Sequence, residues 1–481
     1  MANTLGPGDV RVGHLFDGID DNLPDQVATL TFEATRGAEL TVPFFWEDEG
    51  GPNPQYRKAR EWFDLQNESL PKTLVYADDK GHVTLTGLHV SGSSIGSVPV
   101  GRARAQAVIF GRPRSHQDEY LVNELMSTID GLEEFAGFRP VNIEHGQTED
   151  GHRRTTVVLD ASEVVEWETG GFKYKIQSNL SWHGGRSFTV DDSRPYISTT
   201  REGGATLWDH REAQWPIRAL LVLVHGTKLA WRSHRLRDNE FPMWMLNGSD
   251  RGPYAVEVQL AGTIEQHRFP EPTSHSLGLV PLTLSELGAE GMKRWVELYA
   301  HPNFERAVQP AVEVLNGASR FLEPQLMMLA ISLDYLGYFR FGDGRRRTMA
   351  DHIQKCLDEA SLDWPEIGSR EGIAKAIAAV NNDLKHPDRQ TNPDSDVLAG
   401  ISALAEIIVR AQVFDLLGVD ETRRQRFLGY NDARHAVGIF TTNGIAVADD
   451  GTFTRVARQP EVDASSQPAA IEEATPEESS P

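Results

Sequence analysis

A single cysteine, Cys356, in 481 residues excludes an intramolecular disulfide and any metal site built from several thiolates. That usage suits a reducing compartment. No run of about 18 apolar residues occurs, so no stretch reads as a membrane-spanning helix. The start, MANTLGPGDVRVGHLFDG, lacks the apolar core of a secretory signal. A cytoplasmic location is the expectation. Cations are scarce: 47 Lys and Arg stand against 70 Asp and Glu, a formal net charge of −23. Clustered Lys and Arg carry phosphate affinity, so the chain as a whole is not built as a nonspecific nucleic-acid binder. Local basic patches remain at Arg340 with Arg345, Arg346 and Arg347, at Trp231 to Arg237 (WRSHRLR), and at Lys385 with Arg389. Each also reads as an ordinary solvated face. The sixteen histidines show neither HExxH nor another ligand spacing, and neither a metal nor a cofactor is expected.

What is present divides into two textures. Length predicts two or three domains, and the 39% hydrophobic and 24% charged content is that of an ordinary globular chain. From Val10 to about Arg201 the chain reads as strands and turns, as in Val83 to Leu88, Ala107 to Phe110, Thr155 to Leu159 and Phe172 to Ile176. Helical pieces are expected near Tyr56 to Leu65 and Asp118 to Leu132. IRALLVLVHGTKL, ending at Leu229, is apolar enough for a buried helix or a buried strand, and periodicity does not arbitrate. Strand resumes at Tyr254 to Gln259. Two hydrolase-like fragments fail on context. Gly92-Ser93-Ser94-Ile95-Gly96 is followed by a turn and another strand rather than a helix, and His225-Gly226 follows the supposed nucleophile instead of preceding it.

After Pro281 the pattern is helical. Leu284 to Leu298 and Phe304 to Leu315 come first. Leu322, Leu326, Leu329, Leu333 and Leu336 then repeat at four, three, four and three, the seam of a bundle. A basic loop, Phe341 to Thr348, precedes a helix from Met349 to about Ala360. In the next helix Ile373, Ile377, Val380 and Leu384 draw one apolar stripe from Ser369 onward. Val397, Ile401, Leu404, Ile408 and Ala411 mark a last long helix, stopped at Leu417-Gly418. Beyond Pro460, EVDASSQPAAIEEATPEESSP is too poor in apolar residues to fold alone.

One polar cluster interrupts this regularity, Ala378 to Gln390, reading AAVNNDLKHPDRQ. Asn382 and His386 are four apart, so they sit roughly 40° from each other on a 3.6-residue helix, opposite the stripe. Pro387 places His386 at the last turn, where free carbonyls favour a protonated ring. The same polar run ending in His-Pro is also a common helix stop.

NNDLKHP between two amphipathic helices resembles the signature of HEPN domains, R-x4-6-H and often RNxxxH. Asn382 and His386 fit it. Asn381 stands where that pattern has arginine, and the other positions it allows hold Ala379 and Val380. The bundle of about 110 residues around the motif has the HEPN layout. With Gly13-His14-Leu15-Phe16 near the start and Gly131-Leu132-Glu133-Glu134-Phe135-Ala136-Gly137-Phe138 further on, the chain is similar over most of its length to ApeA-like HEPN proteins.

The resemblance implies an α+β multidomain chain: a β-rich, ApeA-like sensing domain over 1–280, a helical connector over 281–317, an all-α HEPN-type bundle over 318–430, an extension over 431–460 and a disordered acidic tail over 461–481. It further implies a metal-independent RNase of anti-phage defence that halts growth of the infected cell, paired as a homodimer through the bundle and set off by a phage-derived trigger of unknown identity. RNA is the expected substrate. In that scheme His386 moves a proton, Asn382 orients it or donates to phosphate, and Asn381 supplies hydrogen bonds without charge. Lys385 and Arg389 are expected to bind substrate. Two other readings stay open: a HEPN sensor or RNA- or protein-binding module that lost catalysis with the arginine, and an unrelated binding protein made of a β domain and a bundle.

Overall fold

A computed structural model describes residues 3–455 except 17–25, 34–35, 45–58, 65–68, 95, 112–118, 185–187, 264–268, 274–276, 278–279, 387 and 389–392. The acidic segment 461–481 lies outside the described residues, as do Tyr56 to Lys58 and Leu65 of the helical piece expected near Tyr56 to Leu65, of which Ala59 to Trp62 are helical.

The alternating segments form strands as expected. The first eight are β1 (Val10–Phe16), β2 (Gln26–Glu33), β3 (Gly37–Pro43), β4 (Thr73–Asp78), β5 (Gly81–Thr86), β6 (His89–Ser94), β7 (Val100–Ala105) and β8 (Ala107–Phe110). They enclose a core of their own, including Leu15, Leu30, Leu40, Leu74, Tyr76, Leu85 and Trp62. A buried ion pair ties its edge, with Arg11 donating twice to the Asp78 carboxylate at 2.5 and 2.6 Å. Gly92 to Ser94 lie on β6, the terminal strand of the sheet, and β7 follows, so the serine there opens no helix.

Next come β9 (Leu121–Ile129), helix α1 (Leu132–Ala136), β10 (Val141–Gln147), β11 (Arg153–Leu159), β12 (Val164–Thr169), β13 (Phe172–Gln177), β14 (Ser181–Gly184), β15 (Phe188–Asp192) and β16 (Tyr196–Thr206). Helix α2 (Leu207–His225) leads to β17 (Trp231–Arg237), β18 (Pro242–Trp244), β19 (Asp250–Pro253) and β20 (Val256–Leu260). Fourteen strands join one antiparallel sheet, in the order β12-β13-β16-β9-β17-β20-β8-β5-β4-β1-β2-β3-β7-β6. Its two halves are joined where β20 pairs β8, through Val258 with Ile109, Gln259 with Val108 and Leu260 with Ala107. A cavity of about 240 Å³ opens beside that junction, bounded by Ala107, Leu207 and Leu260.

Two expectations are corrected here. Most of the segment expected as helix over Asp118 to Leu132 is strand instead: Leu121–Ile129 forms β9, near the middle of the sheet. Leu121, Leu125, Ile129 and Leu132 imitate helical spacing, but pairing with β16 and β17 on both sides satisfies the backbone as strand. The basic run Trp231 to Arg237 is β17, also interior. Trp231, His234 and Leu236 point inward, Arg232 donates to Asp130 at 2.6 and 2.7 Å, and Arg237 pairs with Glu124 at 3.1 Å.

The ambiguous apolar run is helix α2. A capping box at Thr206 with Asp209 starts it and left-handed Gly226 ends it. It lies on the sheet through His210 and Gln214, which reach the carbonyls of Val122 and Leu125.

The helical half runs α3 (Leu284–Tyr299), α4 (Pro302–Leu315), α5 (Leu322–Phe341), α6 (Met349–Glu359), α7 (Arg370–Lys385) and α8 (Ser395–Leu416), then α9 (Glu421–Leu428) and α10 (Asn431–Asn443). A hairpin closes it, β21 (Ile445–Val447) with β22 (Phe453–Arg455). Among the described residues α8 is long and apolar enough to cross a membrane by composition, with mean hydropathy 1.7 over its best window, 83% of which is buried in the core. The layout is β-rich and then all-α.

The core does not divide at residue 280. One cluster runs from Ile129 in β9 through α2 and every long helix to Val447. Trp295 of α3 donates its indole N–H to the Pro216 carbonyl at 2.6 Å. Arg410 of α8, fully buried, donates to the last carbonyls of α2, Leu223 at 2.8 Å and Val224 at 3.0 Å, and pairs with Glu406 and Asp432.

Candidate functional site

Helix α7 carries the motif and is defined from both ends. Ser369 accepts a hydrogen bond from the Gly372 amide at 3.1 Å and starts it. Ile373, Ile377 and Val380 are buried, as the stripe predicts, and Leu384 packs on the same core. His386 is the C-cap, with φ −117° and ψ 94°, outside helical geometry, and its backbone N–H donates to the Asp383 carbonyl at 3.3 Å. Asn382, Lys385 and His386 are all exposed, so the last turn of α7 presents an amide, an ammonium and an imidazole together.

Asn381 takes another place. It is fully buried, its amide nitrogen reaching the Met349 sulfur at 3.3 Å, and its side-chain oxygen has no partner. The side chain in the arginine position of the motif therefore points into the α6–α7 contact. The signal was in the spacing: Asn381 follows Ile377 by four and continues the apolar stripe. Arg389 lies outside the described residues.

The flanking elements fix how this turn is held. Arg370 at the start of α7 donates to the Leu362 carbonyl at 2.6 Å and pairs with Asp358 near the end of α6, while Met349 at the start of α6 meets Asn381. The two helices are antiparallel. In the loop before α6, Asp343 accepts the Arg345 amide at 3.1 Å and both terminal nitrogens of Arg347 at 2.6 and 2.7 Å. Those bonds, led by Arg347, hold the Asp343 carboxyl well below the usual range. Arg347 also stacks on Phe341 at 3.7 Å. Arg340 belongs to the interior, bonded to Gln412 at 2.9 Å and Asp415 at 2.6 Å. Cys356 is a core residue whose thiol burial pushes up to about 12, far from nucleophilic use.

The β21–β22 hairpin, a structure not expected from the sequence, covers the other end of α7. Val447 donates to the Ile367 carbonyl at 2.7 Å, and Ser369 and Lys375 bind Asp449. Asp450-Gly451 between Ile445–Val447 and Phe453 is the turn signal that marks it. Arg455 then pairs with Asp394, the N-cap of α8. Among the described residues no group of three His, Cys, Asp or Glu is placed to hold a metal ion.

A family model described as ApeA N-terminal domain 1 matches residues 12–295, more than half of the chain. The chain belongs to this family. No curated protein and no solved structure matches it. The ApeA match extends from β1 into α3 and stops before the motif helix.

Within the ApeA region the two short segments that drew attention in the sequence prove to be packing devices. A Cβ on Gly13 would lie 2.3 Å from the Ala77 carbonyl oxygen, so only glycine lets β1 approach β4 there. Gly131 and Gly137, both left-handed, bracket α1, and the Gly131 carbonyl accepts from His225 at 2.9 Å. GLEEFAGF thus seats the end of α2, the same end that Arg410 grips from the helical half. The ApeA sheet also carries a cleft of about 720 Å³ lined by Glu124, Phe172, Lys173, Arg201 and Arg237, beside a bulge where Arg201 to Gly204 leave the β16–β9 register.

Proposed function

We infer that the protein is an anti-phage defence effector in which the ApeA half controls a HEPN-type endoribonuclease built on α7. ApeA N-terminal domains are associated with anti-phage defence effectors. The observation that carries the ribonuclease reading is the exposure of Asn382, Lys385 and His386 on the last turn of a helix whose other face is core.

The chemistry asked of that turn is modest. An RNA 2′-hydroxyl attacks the adjacent phosphorus, the P–O5′ bond breaks, and a cyclic 2′,3′-phosphate and a 5′-hydroxyl result. His386 serves as the group that takes the 2′-hydroxyl proton or returns one to the leaving oxygen. Asn382 donates an amide hydrogen to a phosphate oxygen or orients the ring. A second copy of the chain, docked through the same bundle, brings the second histidine so that both proton transfers are served. The trigger is a phage-derived species of unidentified chemistry, received by the ApeA sheet. The second reading, a non-catalytic HEPN sensor or binding module, draws on one observation: Asn381 is uncharged and buried, so its position contributes no cation.

Cells carrying the wild-type chain or His386→Ala, challenged with phage, distinguish the two. Under the nuclease reading, total RNA is cleaved and plaques fall only with the wild type. Protection that persists in His386→Ala, with intact RNA throughout, would refute it.

A further inference from the structure

We propose that the loop between α5 and α6 supplies the positive charge that the motif lacks, with Arg345 and Arg346 holding the phosphodiester backbone of single-stranded RNA against the Asn382–His386 turn. This rests on the ribonuclease reading of that turn.

Phosphoryl chemistry needs fixed positive charge where phosphate oxygens gain it, and an amide cannot supply that. On α7 the last turn offers only Lys385. The antiparallel packing of α6 and α7 decides what lies next to it. Met349, the first residue of α6, is level with Asn381. Moving forward along α7 from Asn381 and backward along the chain from Met349 leads toward the same end of the helix pair. His386 lies about 7 Å past that level at 1.5 Å per residue. Arg345, Arg346 and Arg347 precede Met349 by four, three and two residues.

The loop holds three arginines against one aspartate, and the four have unequal roles. Asp343 is committed to Arg347 through two bonds and to the Arg345 backbone, which fixes the turn. Arg347 is further held on Phe341. Arg345 is left 81% exposed, with Asp343 no closer than 3.8 Å. Arg346 is exposed and has no ion pair among the described residues. The nearby Asp351 is occupied by the Thr348 cap. Two cations on a preorganised loop therefore face solvent at the motif end, in a chain that is otherwise strongly acidic.

The test uses the full-length protein and a fluorescein-labelled single-stranded RNA, measuring cleavage and the salt dependence of binding. Four variants accompany the wild type: His386→Ala, Arg345→Ala with Arg346→Ala, Arg345→Lys with Arg346→Lys, and, as a distant control, Arg153→Ala with Arg154→Ala on the exposed hairpin strand β11. Thermal melting verifies that each is folded. Loss of two phosphate contacts lowers the slope of log affinity against log salt by about 1.4. The double alanine is expected to show that drop, bind about tenfold or more weakly at low salt and lose cleavage in step, while the double lysine regains affinity and His386→Ala binds normally but does not cut. Wild-type affinity and slope in the double alanine, with His386→Ala inactive, would overturn this assignment and leave the nuclease. An equal loss in the β11 control would overturn it as unspecific charge. Undiminished cleavage by His386→Ala, or a wild type that neither binds nor cuts, defeats the nuclease reading itself.

Discussion

Several side chains that look chemical in the sequence are structural. His210 and His225 anchor the two ends of α2, His210 between Thr199 and the Val122 carbonyl and His225 on Gly131. Burial pushes the pKa of both below the ordinary histidine value. The sign follows directly: unfolded histidines gain protons as pH falls through about 6.5 while these stay neutral, so their contribution is complete above that pH and is lost below it, by up to about 1.4 kcal/mol per pH unit for each ring. Urea unfolding should show a lower midpoint at about pH 5.5 than at about 7.5, and replacing both rings by glutamine should flatten that difference. An unchanged pH dependence in the double variant would place the effect elsewhere. Asn381 teaches a related lesson. Its type suggests a site, yet its spacing from Ile377 puts it in the core, and the spacing decides.

At the level of elements, the motif helix was the most legible part of the chain, because Ser369, the four-three-four stripe and Pro387 bracket it by local chemistry alone. The strand β9 was not, since a strand paired on both sides needs no local pattern and its leucines happen to fall at helical intervals. The C-terminal hairpin is the other omission, and it matters for α7. A Cβ on Gly372 would sit 2.5 Å from the Ala448 carbonyl oxygen. Gly→Ala inside a helix ordinarily gains about 1 kcal/mol. Here the overlap should reverse the sign, with Gly372→Ala costing about 1–3 kcal/mol and lowering the melting temperature. A stabilised variant would mean that the hairpin does not rest on α7.

Taken whole, the molecule has two principal cores that do not follow its two textures. The change from strand to helix after Pro281 is plain in sequence, but the packing boundary lies earlier, between the eight-stranded half and the cluster that begins at Ile129. Long-range partners such as Arg410 with Leu223 and Val224 have no local signature, so periodicity places the helices and is silent on what they bury against. A fragment starting at residue 281 lacks α2, stranding the Arg410 guanidinium and the Trp295 indole without their carbonyls. It should be unfolded or aggregated by circular dichroism and proteolysis, whereas a fragment starting at 119, which keeps β9, β16, β17 and α2, should melt cooperatively. Independent folding of the 281 fragment would contradict the shared core.

The joint between β8 and β20 gives the long sheet a mechanical character. Three residue pairs span it, against six between β9 and β17, with further bonds from Gln259 to the Leu5 carbonyl and from the Ala261 amide to the Gln106 carbonyl, and a void alongside. Pairing just as short joins β1 to β4 and β17 to β20, so a load drawing the sheet apart across its strands meets short rows at all three. The joint is a short rung backed by an apolar patch, Ala107 and Ile109 against Val258 and Leu260, which a separating load must expose to water.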